Sequence, residues 1–265
     1  MKISIVSLDQ IWEDKSANRK QCELIIELSS SHLADLVVFP EMTLTGFSMN
    51  MDMISENITH SETISFFKQL AYKNAIAIVF GVVIKGEVKS SNRLIFISET
   101  GEIIINYAKI HPFTFSNEDQ YFSKGNEIGQ CKYKGVQFGF GICYDLRFPE
   151  IYQRLSELSE VIITIANWPK KRIEHWETLL KARAIENQSI IIGVNRTGCD
   201  GNGIEYIKSS IIFNENGVLL DPIYSLNNVD IYDLEPNKVG TVRKEFPVKN
   251  DRRKDLYKNF YNDKK

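Results

Sequence analysis

Val136-Gln137-Phe138-Gly139-Phe140-Gly141-Ile142-Cys143-Tyr144-Asp145-Leu146-Arg147-Phe148-Pro149-Glu150 is where the chain changes period most sharply. Apolar residues fall at 136, 138, 140 and 142, every second position, which predicts a strand with one buried face. Gln137, Gly139 and Gly141 share the other face, where backbone or substrate is expected to approach closely. Phe148-Pro149-Glu150 reads as a helix start, with proline where its missing N–H costs nothing. Cys143 is therefore expected at a strand end, just before a helix. Free N–H groups and the positive end of the helix dipole favour an anion there. A thiol so placed is expected to have a lowered pKa and to serve as a nucleophile. The plainer reading of the same stretch is a buried structural cysteine.

Working outward, residues 3–8 and 35–39 read as short apolar strands, the second closed by Pro40 and followed at once by Glu41. Residues 18–28 carry helical spacing, and Ser61 opens a second helix in which Phe66, Phe67, Leu70 and Ala71 repeat at three and four. Residues 76–84 are the most apolar run and read as a buried strand. Residues 92–98 and 102–107 read as a hairpin turning at Thr100-Gly101, with Lys109 just past it. Residues 40–60 and 110–127 are read as loops. Past the quoted stretch, strands are expected at 161–166, 190–195, 206–213, 218–221 and 228–233, with helices at 151–158 and 173–187. The pattern predicts one α/β domain over 1–265 with helices outside the sheets and a polar tail from about 249.

The totals narrow the function. Lys+Arg 32 against Asp+Glu 34 gives a net charge of −2, which supports no nucleic-acid or membrane-surface role. No run reaches the length of a membrane helix, and the N-terminal apolar run is too short for a signal peptide. Cys22, Cys131, Cys143 and Cys199 show no CxxC pairing and no histidine-rich neighbourhood, so neither a disulfide framework nor a metal site is expected. A reducing, cytoplasmic setting fits. No GxGxxG or GxxxxGK[ST] supports a nucleotide-binding reading.

Glu41, Lys109 and Cys143 all fall on loops immediately after strands, and such loops converge on one rim of an α/β sheet. Together they form a chemical set. Glu41 can take the thiol proton, Lys109 can stabilise a developing oxyanion, and the Tyr144 backbone N–H is a second oxyanion donor. Singly, Glu41 reads as an exposed loop carboxylate and Lys109 as a solvated lysine. His111, beside Pro112, reads as a hydrogen-bonded structural histidine, and His175, beside Trp176, as a packing residue. Arg147 is expected to pair with a carboxylate and fix the turn after Cys143, with substrate contact as the lesser alternative. Trp168 reads as a pocket wall or as core.

Three segments, Phe39-Pro40-Glu41-Met42, Tyr107-Ala108-Lys109-Ile110-His111-Pro112-Phe113 and Gly141-Ile142-Cys143-Tyr144-Asp145-Leu146-Arg147-Phe148-Pro149-Glu150, resemble the signatures of the nitrilase, or carbon–nitrogen hydrolase, superfamily. The resemblance runs from the first strand to about residue 257. It implies a four-layer α-β-β-α sandwich, a Glu-Lys-Cys triad at Glu41, Lys109 and Cys143, acyl transfer through a thioester without a cofactor, and a homodimer joined through helices near the nucleophile. Residues 115–125 resemble the family loop that carries a second catalytic glutamate, here Glu118, which by that match orients Lys109. Asn167-Trp168-Pro169 with Arg172, His175-Trp176 and Ala182-Arg183-Ala184-Ile185-Glu186-Asn187-Gln188, and Asn195-Arg196-Thr197-Gly198, resemble the omega-amidase branch. Its members hydrolyse the terminal amide of 2-oxoglutaramate or 2-oxosuccinamate to the 2-oxo diacid and ammonia. Lys208, where related sequences usually have glycine, departs from the pattern and puts the substrate in question.

Lys170, Lys171 and Arg172 cluster at a helix start, where cations oppose the dipole. That placement reads either as indifferent solvent exposure or as a site for the far carboxylate of the substrate, with Arg172 as a bidentate grip. Other activities of the superfamily remain alternatives: deaminated-glutathione amidase, N-carbamoyl hydrolase, nitrilase, or a binding subunit that keeps the scaffold.

Overall fold

The computed structural model describes residues 1–260, so the last five residues of the expected tail lie outside it. Among the described residues, two large sheets stack face to face with helices on both outer faces, a four-layer α-β-β-α sandwich. The first sheet has eight strands. Its main path runs Tyr224–Leu226, Val229–Asp233, Lys2–Val6, Leu36–Val38, Ala77–Ile84, Ser91–Ile97 and Ile103–Ala108, and Ser55–Glu56 pairs beside Ala77–Ile84. The second runs Ile211–Phe213, Ile190–Asn195, Val161–Ala166, Val136–Ile142 and Gly129–Tyr133.

The alternation in the quoted stretch explains the layering. Phe138, Phe140 and Ile142 point between the sheets and meet Ile3, Ile5, Val38, Leu94 and Phe96 from the other one. Each such side chain, fully buried, contributes about 1.5–3 kcal/mol. The opposite face takes the helix Pro149–Leu155. A Cβ on Gly141 would sit 2.8 Å from the Tyr152 hydroxyl, and one on Gly139 would sit 3.2 Å from Leu155 Cβ. These glycines therefore admit a helix rather than a substrate. Pro149–Leu155 and Ile173–Asn187 cover this sheet with Tyr152, Leu155, Trp176 and Leu180. Lys15–Ser31 and Glu62–Asn74 cover the other with Cys22, Ile26, Phe67 and Leu70. Ser61 caps the second of these, accepting from Ile64 N.

Val136–Ile142, Val161–Ala166 and Ile190–Asn195 are parallel, and so are Lys2–Val6, Leu36–Val38 and Ala77–Ile84. Their carboxyl ends bring residues 39–41, 143, 167–168 and 195–196 to one rim. Gly129–Tyr133 and Val136–Ile142 form a hairpin, with Lys134 and Gly135 both at positive φ in the turn. Two expectations need correction. Residues 206–213 break at Lys208, which turns aside to pair with Asp230 at 2.9 Å. Residues 218–221 make a single bridge, Phe213 to Leu219, and Val218 and Leu219 stay more than half exposed; Tyr224–Leu226 forms the strand instead. Past 249 the chain is tied down by Arg252, which donates to Glu186 O and Asn187 Oδ1.

Candidate active site

Glu41 follows Leu36–Val38 through Phe39 and Pro40 and is fully buried. Its turn lies directly on Gly81, where a Cβ would stand 2.3 Å from Met42 N. Only glycine at that point of the neighbouring strand lets the carboxylate reach the rim. Gln10 Nε2 donates to the carbonyls of Glu41, Met42 and Thr43 at 2.9, 3.0 and 3.2 Å. Glu41 Oε2 accepts from the Asn167 backbone N–H at 2.9 Å, and Oε1 accepts from Asn92 Nδ2 at 2.7 Å and from Lys109 Nζ at 3.1 Å.

Lys109, 2% exposed, leaves the end of Ile103–Ala108 and also donates to both oxygens of Glu118, at 3.0 and 2.9 Å. Glu118 opens the short helix Glu118–Tyr121 and is held in turn by Phe113 N–H at 2.5 Å. The 110–127 segment is thus ordered around this acid rather than being a plain loop. Burial alone lowers a lysine pKa, but the Glu118 and Glu41 carboxylates outweigh it and hold the ammonium above its ordinary range. One cation serves two carboxylates. Burial, reinforced by the nearby Glu41 charge, lifts Glu118 above the ordinary carboxyl range despite Lys109.

Cys143 begins a tight 3-10 turn, Cys143–Arg147, in the left-handed region at φ +46°, a strained conformation for a residue with a side chain. Asp145 fixes that turn. Its Oδ2 accepts from Ile142 N–H at 3.0 Å and from Tyr107 Oη at 2.8 Å, and its Oδ1 faces His111 N and Nδ1 at 3.0 Å each. His111 is therefore the structural histidine expected, stacked on Phe148 with ring centroids 3.7 Å apart. The thiol points toward Asn167 O at 3.9 Å. Burial and then the Glu41 carboxylate push its pKa well up, with Lys109 only partly opposing. This overturns the expectation of a lowered thiol pKa. The α-helix starts six residues later at Pro149, and the two carboxylates near the thiol outnumber the one cation.

A cleft with about 80 Å³ of free space opens over Cys143, Lys109 and Tyr144. That is below the usual range for drug-sized ligands and suits a compact metabolite. Trp168, Pro169, Phe113 and Phe47 are among its walls. Trp168 serves both roles read for it, packing on Trp176 while its Nε1 donates to Arg172 O at 2.8 Å. Arg172 lines the cleft with its guanidinium 5.6 Å from the Phe113 ring centre, whereas Lys170 is taken by Glu205 at 2.8 Å. Arg147 corrects the expectation of a carboxylate partner. It lies over the Trp168 ring at 4.9 Å, contacts His175 Nδ1 at 3.2 Å and also lines the cleft. His175 is exposed rather than packed. Among the described residues neither guanidinium is paired with a carboxylate. Lys208 lies outside the cleft walls.

The family model for carbon-nitrogen hydrolases matches residues 2–244. The chain belongs to this family. It is 34% identical to a 2-oxoglutaramate amidase of Bacillus subtilis over 96% of this chain and 98% of that one. It is 33% identical to an omega-amidase of Yersinia enterocolitica over 82% of each. Among solved structures it matches XC1258 of Xanthomonas campestris, described as a CN-hydrolase superfamily protein with an arsenic adduct in the active site. The match has a TM-score of 0.86 and 30% identity, and covers 94% of this chain and 95% of that one. The protein is thus a nitrilase-superfamily enzyme of carbon–nitrogen bonds, on the omega-amidase side of the family.

Sequence reasoning missed Asn92, Asn167 as a backbone donor, and Gln10, and it ranked the cleft role of Arg147 second. Asn92 had a signal: it is the polar member of an inward-facing series, with Leu94 and Phe96, on Ser91–Ile97. Gln10 and the Asn167 backbone gave none, since both act through contacts distant in sequence.

Proposed function

We infer that the protein is a cysteine amidase that hydrolyses the terminal amide of a small 2-oxo acid amide, 2-oxoglutaramate or 2-oxosuccinamate. The carrying observation is one cleft with Cys143 and the Glu41–Lys109–Glu118 cluster beneath it and two unpaired guanidiniums, Arg147 and Arg172, on its wall. An amide at one end and a carboxylate at the other suit that polarity. The names of the similar amidases agree with it.

In this reading Glu41 takes the Cys143 proton as the sulfur attacks the amide carbon, which explains how a neutral thiol can react. Lys109 Nζ and the Tyr144 N–H receive the charge that develops on oxygen. Glu118 holds Lys109 in place. Collapse of the tetrahedral species breaks the C–N bond, and the proton on Glu41 leaves with ammonia. Glu41 then takes a proton from water, which attacks the thioester carbon; the C–S bond breaks, the 2-oxo diacid leaves, and the proton passes from Glu41 back to the Cys143 sulfur.

The test is ammonia release from 2-oxoglutaramate, glutamine, asparagine and a simple nitrile. Turnover of 2-oxoglutaramate well above the others is expected, and Arg172→Ala or Arg147→Ala should lower its kcat/KM at least tenfold, mainly through KM. A change within twofold for both variants sinks the carboxylate assignment. A second reading has one observation behind it. An adjoining cleft walled by Trp12 and Glu13 shares Phe47, Ser116 and Ile204 with the first and offers room for a longer amide. A deaminated glutathione amidase of Dictyostelium discoideum is 28% identical. Preference for an amide of that length over 2-oxoglutaramate would favour it.

A further inference from the structure

Asn92 sits between the two buried glutamates. Its Nδ2 donates to Glu41 Oε1 at 2.7 Å and to Glu118 Oε1 at 3.3 Å, so one side-chain amide spans both carboxylates. Its own carbonyl Oδ1 is buried and meets no donor among the described residues. That orphan acceptor is informative. A free amide would turn to satisfy its oxygen, but turning it here would aim the carbonyl at two carboxylates. The carboxylates' need for a donor fixes the orientation, at the cost of an unsatisfied oxygen. The backbone is anchored as well, because Asn92 O accepts from Lys109 N at 2.9 Å.

Charge counting shows what the amide is for. The charged and titratable groups that face Glu41 and Glu118 are Lys109, from the end of Ile103–Ala108, Cys143, from the turn after Val136–Ile142, and each other. Lys109 is a single cation against two carboxylates. The remaining support comes from neutral donors: Asn167 N–H on Glu41, Phe113 N–H on Glu118, and Asn92 on both. Among the described residues, Asn92 and Lys109 are the groups that hydrogen-bond to both acids.

We propose that Asn92 is a positioning residue that holds the Glu41 and Glu118 carboxylates side by side and aimed at Lys109 and Cys143, and so sets the pH at which the Cys143 proton can be taken up. The proposal rests on the reading of Glu41 as the base. Hydrogen bonds to the charged form of a carboxyl favour that form. Without the shared amide, the two acids repel one another with less to offset it. Glu118, already lifted by burial, then retains a proton to higher pH, and its hold on Lys109, which aims Glu41 at the thiol, is weakened.

The experiment follows alkylation of Cys143 by iodoacetamide as a function of pH, a readout independent of the substrate. It compares the wild-type enzyme with Asn92→Leu, Asn92→Asp and Glu41→Gln. Both Asn92 variants are expected to move the acid limb of the rate up by about one pH unit, costing about tenfold in rate at a pH on that limb. For the preferred amide, kcat should fall in parallel while KM stays within twofold. Asn92→Asp keeps the shape of the side chain, so it answers the question even if Asn92→Leu does not fold. An unmoved limb in Asn92→Asp, with Glu41→Gln strongly impaired, overturns the proposal and leaves the base assignment standing. An unmoved profile in Glu41→Gln overturns both.

Discussion

The floor of the cleft and its wall are built to different standards. On the floor, Glu41 and Glu118 are fully buried and Lys109 nearly so, and every charged oxygen named there has a donor. On the wall, Arg147 and Arg172 carry charge of one sign, rest on aromatic rings and, among the described residues, have a histidine contact but no carboxylate partner. The floor needs no substrate to be complete. On the proposed reading, the wall is completed by the substrate's carboxylate. Reacting groups benefit from fixed geometry, because any reorganisation is charged to the barrier. Recognition groups instead keep binding energy available by staying unpaired until the ligand supplies the partner. Changes on the floor should therefore strike turnover and stability, and changes on the wall should strike affinity.

The largest break is at the nucleophile. On the proposed reading of Cys143 as the nucleophile, Cys143→Ala should lower turnover by roughly 10⁴-fold or more with the fold intact. Ammonia release with purified protein checks it, and substantial residual turnover would remove Cys143 from the mechanism.

Next comes Lys109→Met, which tests the floor as structure. It leaves two carboxylates buried without their cation, a loss on the order of 3–5 kcal/mol at neutral pH. The deficit should depend on pH in a set direction. Burial already holds Glu118 above the ordinary carboxyl range, and removing Lys109 raises it further. The folded variant then binds more protons than its unfolded chain, so stability falls as pH rises from about 4.5. Urea midpoints should show a larger deficit at pH 7 than at pH 5. Equal deficits at both would mean that the cluster is not charged in the way described.

The same contrast explains what the sequence made legible. Alternation at 136–142 predicted the strand and its inward face because burial of Phe138, Phe140 and Ile142 is a local, repeating demand. Glu41, Lys109 and Cys143 were legible as strand-end residues because parallel strands deliver their carboxyl ends to one rim. The thiol pKa was not legible. The local argument saw a helix dipole, whereas the deciding terms are burial and a carboxylate 102 positions earlier in the chain. Arg147 was misassigned for a related reason. Asp145 already secures the turn through Tyr107, His111 and Ile142, which frees the guanidinium for the cleft. Residues 218–221 look like a strand by composition, but the second sheet offers them only one bridge.

The smallest effect tests the boundary between wall and scaffold. The structure turns Lys208 away from the cleft, onto Asp230 at 2.9 Å and Asn227 O at 3.0 Å. Its ammonium is 38% exposed while Asp230 is 7% exposed, so solvent screens the pair and most of the cost of losing it falls on the acid. Ser225 Oγ still donates to Asp230, which limits that cost. Lys208→Ala should therefore destabilise by roughly 1 kcal/mol or less, a fall of about 2–4 °C in Tm at most. The kcat/KM for 2-oxoglutaramate should stay within twofold, because the side chain is not among the cleft walls. A tenfold change in kcat/KM with an unchanged Tm would extend the wall to Lys208 and make this position part of substrate recognition.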